Sequence, residues 1–146
     1  MPWAKPEELP GPQCYCGLRG CMEVWTCGTG IEMDYNGVTG KSLKAREIAA
    51  LEAAGDAEAV AAFERFLDRL GRGLAVIVNS LDPDVIVFGG GVSRWERLYR
   101  DLPARIRPYV FGGDFDTPLV PAMYGDSSGV RGAAWLWPAV KGSDRG

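Results

Sequence analysis

The run Cys14-Tyr15-Cys16-Gly17-Leu18-Arg19-Gly20-Cys21, followed at once by Met22-Glu23, places three thiols within eight residues. Zinc holds thiolate sulfur at about 2.3 Å, so the sulfurs of one site must nearly touch. Gly17 and Gly20 admit the left-handed turns that let so short a loop wrap one ion. A structural zinc takes four ligands in a tetrahedron, and this segment offers three. The chain contains no histidine, and Cys27 is its only other cysteine. If residues 21–27 are helical, Cys27 lies about 9 Å further along the axis and points to another face. It is read as a poor fourth ligand and a small buried residue. Two disulfides are the alternative use of four cysteines. The Cys14/Cys16 spacing suits a disulfide badly, and a reducing compartment favours metal.

Three further groups could meet a ligand. Glu23 sits two residues past Cys21, on an element that a metal would hold still, and its carboxylate could accept hydrogen bonds from sugar hydroxyls. Equally, it could be a first-turn glutamate favoured by a helix dipole. Gly89-Gly90-Gly91 follows the apolar run Val85-Ile86-Val87-Phe88. Glycines at the carboxyl end of a strand let backbone N–H groups approach a phosphate or nucleotide, and the next helix start adds partial positive charge. A plain strand-to-helix turn explains the same residues. Gly125-Asp126-Ser127-Ser128-Gly129 reads as a second such turn, or simply as a helix cap.

Positioning these groups requires elements that the chain spells out in order. Residues 1–13 carry four prolines and read as an extended leader with little to pack on. A short helix is expected from Cys21 to Cys27, interrupted by Gly28-Thr29-Gly30, then another from Ile31 to Tyr35. Ser42 is a candidate N-cap for a helix through about Ala54. From Ala57 to Leu81, Val60, Phe63, Leu67, Leu70, Leu74, Ile77, Val78 and Leu81 recur at helical spacing and make one apolar stripe. Gly71 and Gly73 within it suggest close approach of another element. Val85–Phe88 reads as a buried strand. Ser93 and Glu96 form a capping-box pattern opening a helix to about Ile106. Leu119–Tyr124 reads as a second strand and Val130–Trp137 as a last helix. The tryptophans at 3, 25, 95, 135 and 137 are expected in core or interface. Strands alternating with helices indicate an α/β lobe, but two or three strands are too few for a self-sufficient sheet.

Composition excludes several classes. A formal charge of −3 gives no electropositive field for nucleic acid or an acidic membrane. No apolar run is long enough to span a bilayer, and the first residues lack the pattern of a signal peptide. The expected setting is cytoplasmic.

Taken in order, these residues resemble the ROK family of sugar kinases and related transcriptional repressors. Cys14-x-Cys16-Gly17-x2-Gly20-Cys21-x-Glu23 is similar to the family's zinc signature. Asp84 to Val92 is similar to its nucleotide-side glycine motif. Gly125 to Trp135 resembles the ending of its fructokinases and mannokinases. The resemblance implies the C-terminal lobe of an actin-like, ribonuclease H-like ATPase fold with an incomplete sheet: zinc loop and following helix in 1–30, α/β lobe in 31–140, frayed tail in 141–146. It implies transfer of the γ-phosphoryl of Mg·ATP to a hexose, fructose first. Cys14, Cys16 and Cys21 hold structural zinc in this reading, Glu23 meets the sugar, and Gly89, Gly90 and Gly91 meet the nucleotide. The phosphate loop, the catalytic base and the histidine completing the zinc site belong to a preceding N-terminal lobe, so no catalytic residue is assigned here. A homodimer is expected of the intact protein. A repressor fragment, or a non-enzymatic zinc-stabilised module, are the alternatives.

Overall fold

The computed structural model describes residues 1–136. Its organising element is the longest apolar stripe in the sequence. The leader, with a single 3-10 turn at Pro6–Glu8, precedes α1 (Met22–Trp25), α2 (Gly28–Thr39), α3 (Ala45–Ala53) and α4 (Ala57–Leu81). Strand β1 (Ile86–Phe88), α5 (Glu96–Ile106), β2 (Leu119–Pro121) and α6 (Ser128–Ala134) complete it, with 3-10 turns at Gly91–Arg94, Arg107–Tyr109, Phe111–Gly113 and Gly125–Ser127. Helix α4 spans the residues its spacing predicts. The Asp56 side chain accepts from the Ala59 N–H at its start, and Asp82 closes it in a left-handed conformation.

Helices α2, α3 and α5 pack around α4. The core so formed contains Ile31, Tyr35, Ile48, Phe63, Phe66, Leu67, Leu98, Leu102 and Ile106, all essentially buried. Trp95 meets Phe63 edge-on at 5.0 Å between ring centroids. Gly71 is the point of closest approach to α5. A Cβ there would lie 2.8 Å from the Arg105 backbone, so only glycine lets the two helices close.

Strands β1 and β2 pair in parallel, Val87 opposite Val120. Theirs is a two-stranded sheet. Parallel strands are normally covered on both faces. Here Val87 is 56% exposed, so the expectation of a buried strand fails: the described residues supply no layer over that face.

Other boundaries move for local reasons. The helix expected at 31–35 begins earlier, at Gly28, and runs to Thr39, so Gly28-Thr29-Gly30 opens it instead of interrupting its predecessor. The predecessor stops at Trp25. Lys44, not Ser42, is the N-cap of α3, with the Glu47 carboxylate returning to the Lys44 N–H at 2.8 Å. Ser93 does not cap α5. Its hydroxyl donates to the Gly90 carbonyl at 2.6 Å, and the helix starts after Trp95. Trp25 is buried, whereas Trp3 is half exposed and Trp135 largely exposed. Trp3 packs its ring against Tyr109 at 5.2 Å. Trp137, and the tail expected to fray from Lys141, lie outside the described residues.

The leader is anchored more firmly than its prolines suggest. Glu8 is buried beside two arginines of α4. Its carboxylate accepts from Arg72 Nη2 at 2.6 Å, Arg72 Nη1 at 2.8 Å and Arg69 Nε at 3.0 Å. Arg69 also donates to Asp34 of α2 at 2.7 Å. Arg72, wholly buried, donates further to the Trp3 carbonyl at 2.7 Å. Burial alone raises the pKa of Glu8, but the hydrogen bonds from Arg72, the Lys5 N–H and Arg69 outweigh it and bring it down to about 2.

A candidate metal loop and a glycine-rich turn

The cysteine loop is a knuckle closed by backbone bonds. The Cys14 N–H donates to the Leu18 carbonyl at 2.8 Å, the Gly17 N–H to Cys14 at 3.1 Å, and the Gly20 N–H to Pro12 at 2.9 Å. Gln13 and Arg19 form an antiparallel bridge. Gly17 and Gly20 have φ of 89° and 67°, the conformations that the wrapping turn demands of them.

These turns bring the side chains of Cys14, Cys16 and Cys21 together, their sulfurs all within 4.8 Å of one another. Cys16 Sγ and Cys21 Sγ lie 3.5 Å apart. Two ligands of a tetrahedral zinc with bonds of about 2.3 Å stand about 3.8 Å apart, so the thiols converge at the spacing one ion requires. All are free. The Leu18 N–H stabilises the Cys16 thiolate and holds that thiol below its ordinary range. Hydrogen bonding to Cys16 pushes Cys21 up to about 11. A cation bound here would displace the thiol protons. By chemistry and spacing, these residues fit a zinc ion.

Cys27 stands outside the cluster, as its distance along the chain predicts. It is half-buried, not buried, and its sulfur lies 3.0 Å from Thr29 Oγ1 at the start of α2. Cys21 is the N-cap of α1, so the metal loop hands directly into the helix that carries Glu23 in its first turn. Glu23 is exposed. The fit of α1 against its neighbours depends on missing side chains. A Cβ at Gly73 would lie 2.4 Å from Met22 Sδ, and one at Gly30 would lie 2.5 Å from the Val24 carbonyl.

Gly89, Gly90 and Gly91 leave β1 at its carboxyl end and are exposed, with Gly90 at φ 75° and open space around each. The second glycine-containing turn is drawn alongside: the Ala122 N–H extends the ladder to the Phe88 carbonyl at 2.8 Å, and the 125–127 turn packs on the 91–94 turn. Two strand-to-helix turns thus meet at one edge of the sheet. A cleft of about 460 Å3 opens there, between Gly91, Val92 and Trp95 on one side and Gly28, Ala45 and Arg46 on the other. Sequence reasoning found the glycines and missed the α3 wall, since nothing local marks residues some 45 positions upstream as neighbours.

The ROK family model matches residues 5–140 of the chain. An N-acetyl-D-glucosamine kinase of Photobacterium profundum is 42% identical over 130 residues, covering 89% of this chain and 43% of its own length. One from Yersinia pseudotuberculosis is 41% identical over 134 residues, with 92% and 44% covered. The chain therefore spans less than half the length of these curated relatives. Among solved structures, a ROK hexokinase from Thermus thermophilus superposes with a TM-score of 0.74 at 33% identity, over 93% of this chain and 45% of that one. A ROK glucokinase from Streptomyces griseus, solved with glucose and AMPPNP, gives 0.74 at 26%, over 86% and 47%. A ROK transcriptional regulator gives 0.65 at 25%, over 77% and 32%.

Proposed function

The chain belongs to the ROK family, and on that premise we propose that it is the sugar-facing and nucleotide-facing C-terminal portion of an ATP-dependent hexose kinase. The observation that carries this reading is the convergence of Cys14, Cys16 and Cys21 at the root of the short helix bearing Glu23. Zinc held there is structural: it fixes the loop and fastens the start of α1. Glu23, exposed beside that brace, accepts hydrogen bonds from sugar hydroxyls and fixes the sugar's orientation. Gly89, Gly90 and Gly91 present backbone at the sheet edge where the cleft opens, a surface suited to a nucleotide. Phosphoryl transfer is mainly positioning and charge stabilisation, with Mg2+ offsetting phosphate charge when bound. This portion supplies positioning, and no residue of it is assigned as the base.

Fructose was the expectation from the ending of the chain. The relatives are N-acetyl-D-glucosamine kinases, and their names favour that amino sugar as the substrate of the intact protein. Coupled ADP-release assays across fructose, glucose, mannose and N-acetyl-D-glucosamine decide between them in the intact protein. There, Glu23→Gln is expected to raise KM for the sugar by about ten-fold or more. An unchanged KM contradicts the sugar role. The 146-residue chain alone is expected to phosphorylate none of these sugars, and measurable turnover by it overturns the division of labour. The similarity to a ROK transcriptional regulator supports a second reading, a sugar-responsive repressor. Absence of phosphorylation by the intact protein, with retained sugar binding, would favour it.

A further inference from the structure

The cysteine loop has few ties of its own to the core. Cys16 and its neighbours Tyr15 and Leu18 are exposed, and the bonds closing the knuckle run within the loop and its leader. What attaches it to the body is found on its two flanks. On the amino side, Glu8 enters the fold between Arg69 and Arg72. On the carboxyl side, Met22 rests on Gly73, and the Trp25 ring lies under the Arg69 guanidinium at 4.1 Å. Arg69, Arg72 and Gly73 stand at i, i+3 and i+4, one face of α4. Arg69 touches both flanks: it donates to Glu8 of one and stacks on Trp25 of the other. The two ends of the loop are thus registered against a single turn of a rigid helix.

We propose that Glu8, through Arg69 and Arg72, is a positioning residue for the three-cysteine metal site. A loop whose ends are fixed delivers its thiols already gathered, so metal binding does not bear the cost of ordering them. Glu8 is the buried ionic tie between the leader and that platform, beside the Arg72 bonds to the Pro2 and Trp3 carbonyls and the more exposed Lys5–Asp68 pair. Its single negative charge is shared by two guanidinium groups that α4 holds away from water, with Asp34 beside Arg69 and Asp68 beside Arg72 supplying further charge. With the Glu8 carboxylate gone, the arginines lose the ion pair that binds them to the leader. The inference rests on the three thiols being a metal site, but it concerns residues that touch no metal.

The test uses the 146-residue chain with Co2+ as spectroscopic probe, and Zn2+ in competition with a chromophoric chelator. Sulfur-to-cobalt absorption in the wild type is expected. Its absence overturns the metal assignment itself, separately from the role of Glu8. With that absorption in hand, Glu8→Gln is expected to weaken Zn2+ binding by about ten-fold or more, the size of effect that orienting partners of metal ligands have. Glu8→Asp keeps the charge that the arginines need and shortens the reach by one methylene. It supplies the same measurement should Glu8→Gln fail to fold, and is expected to weaken binding several-fold. Glu52→Gln removes an acceptor of Arg97 in a separate ion cluster, and is expected to lower thermal stability while leaving metal affinity as in the wild type. Wild-type affinity in both Glu8 variants overturns the proposal. So does an equal loss of affinity in Glu52→Gln, which would make the effect one of general stability.

Discussion

At the scale of single residues, the chain uses charge in two clusters, and both are built on depressed carboxylates. Glu8 is held at about 2 against an ordinary value of 4.5. A carboxyl whose folded pKa is depressed stabilises the fold above its unfolded value and loses that contribution as pH falls through the folded one. Stability is therefore expected to drop between about pH 4.5 and pH 2, and Glu8→Gln should flatten that drop in urea titrations repeated across the range. An equally steep fall in the variant would contradict the assignment. Asp101 behaves alike at about 2, held mainly by Arg100 and, against the opposing effect of burial, by Arg97. Arg97 also bonds Glu52 of α3 and Glu64 of α4, so that one guanidinium ties three helices at the end of the core opposite in sequence to the leader.

At the scale of elements, glycines divide into those that a neighbour requires, those that a left-handed turn requires and those that nothing requires. Gly71 faces backbone of α5, which cannot swing aside. Gly71→Ala is expected to destabilise by about 1–3 kcal/mol, an overpacking cost. Gly37 lies within α2 with open space at its Cβ position, and Gly37→Ala is expected to stabilise by about 0.5–1 kcal/mol through helix propensity. Thermal unfolding of the two variants should therefore shift in opposite directions, and a shared sign would contradict the packing argument. The same contrast shows what the sequence makes legible. Apolar recurrence locates both ends of α4, and the glycines within it point to an unspecified close neighbour, which proves to be α5 at Gly71 and Met22 at Gly73. The knuckle could be read because its whole logic lies within eight residues. The leader's anchorage could not be read. Glu8 and its arginines are 61 and 64 positions apart, and a buried arginine on a helix leaves the same letter in the sequence as a solvated one. The cap of α3 was misplaced for the opposite reason: serine is the better capper by type, but the Glu47 return bond fixed the start at Lys44.

At the scale of the whole molecule, the helical layer is well closed and the sheet is not. Val85, Val87 and Met123 are 46%, 56% and 88% exposed around a two-stranded parallel sheet, while the core beside α4 is fully buried. Parallel strands gain their stability from cover on both faces, so this edge is expected to be less stable than the helical core. The native chain is expected to bind an apolar fluorescent dye, and Val87→Thr to reduce that binding without loss of helical circular dichroism. Absence of dye binding by the wild type would show the face to be closed. No described helix is long and apolar enough to cross a membrane.

The union of Glu8 with α4 also has a consequence in time. The helices of the core meet mainly near neighbours along the chain, whereas the leader must close a loop of roughly sixty residues before its carboxylate finds a partner. Closing so long a loop is entropically costly and gains nothing until the contact is made. The knuckle should accordingly dock after the helices have assembled. In a refolding experiment begun with cobalt present, far-ultraviolet ellipticity should recover first and the sulfur-to-cobalt colour later. In that order, the last part of the chain to find its place is its first thirteen residues and the metal loop that follows them.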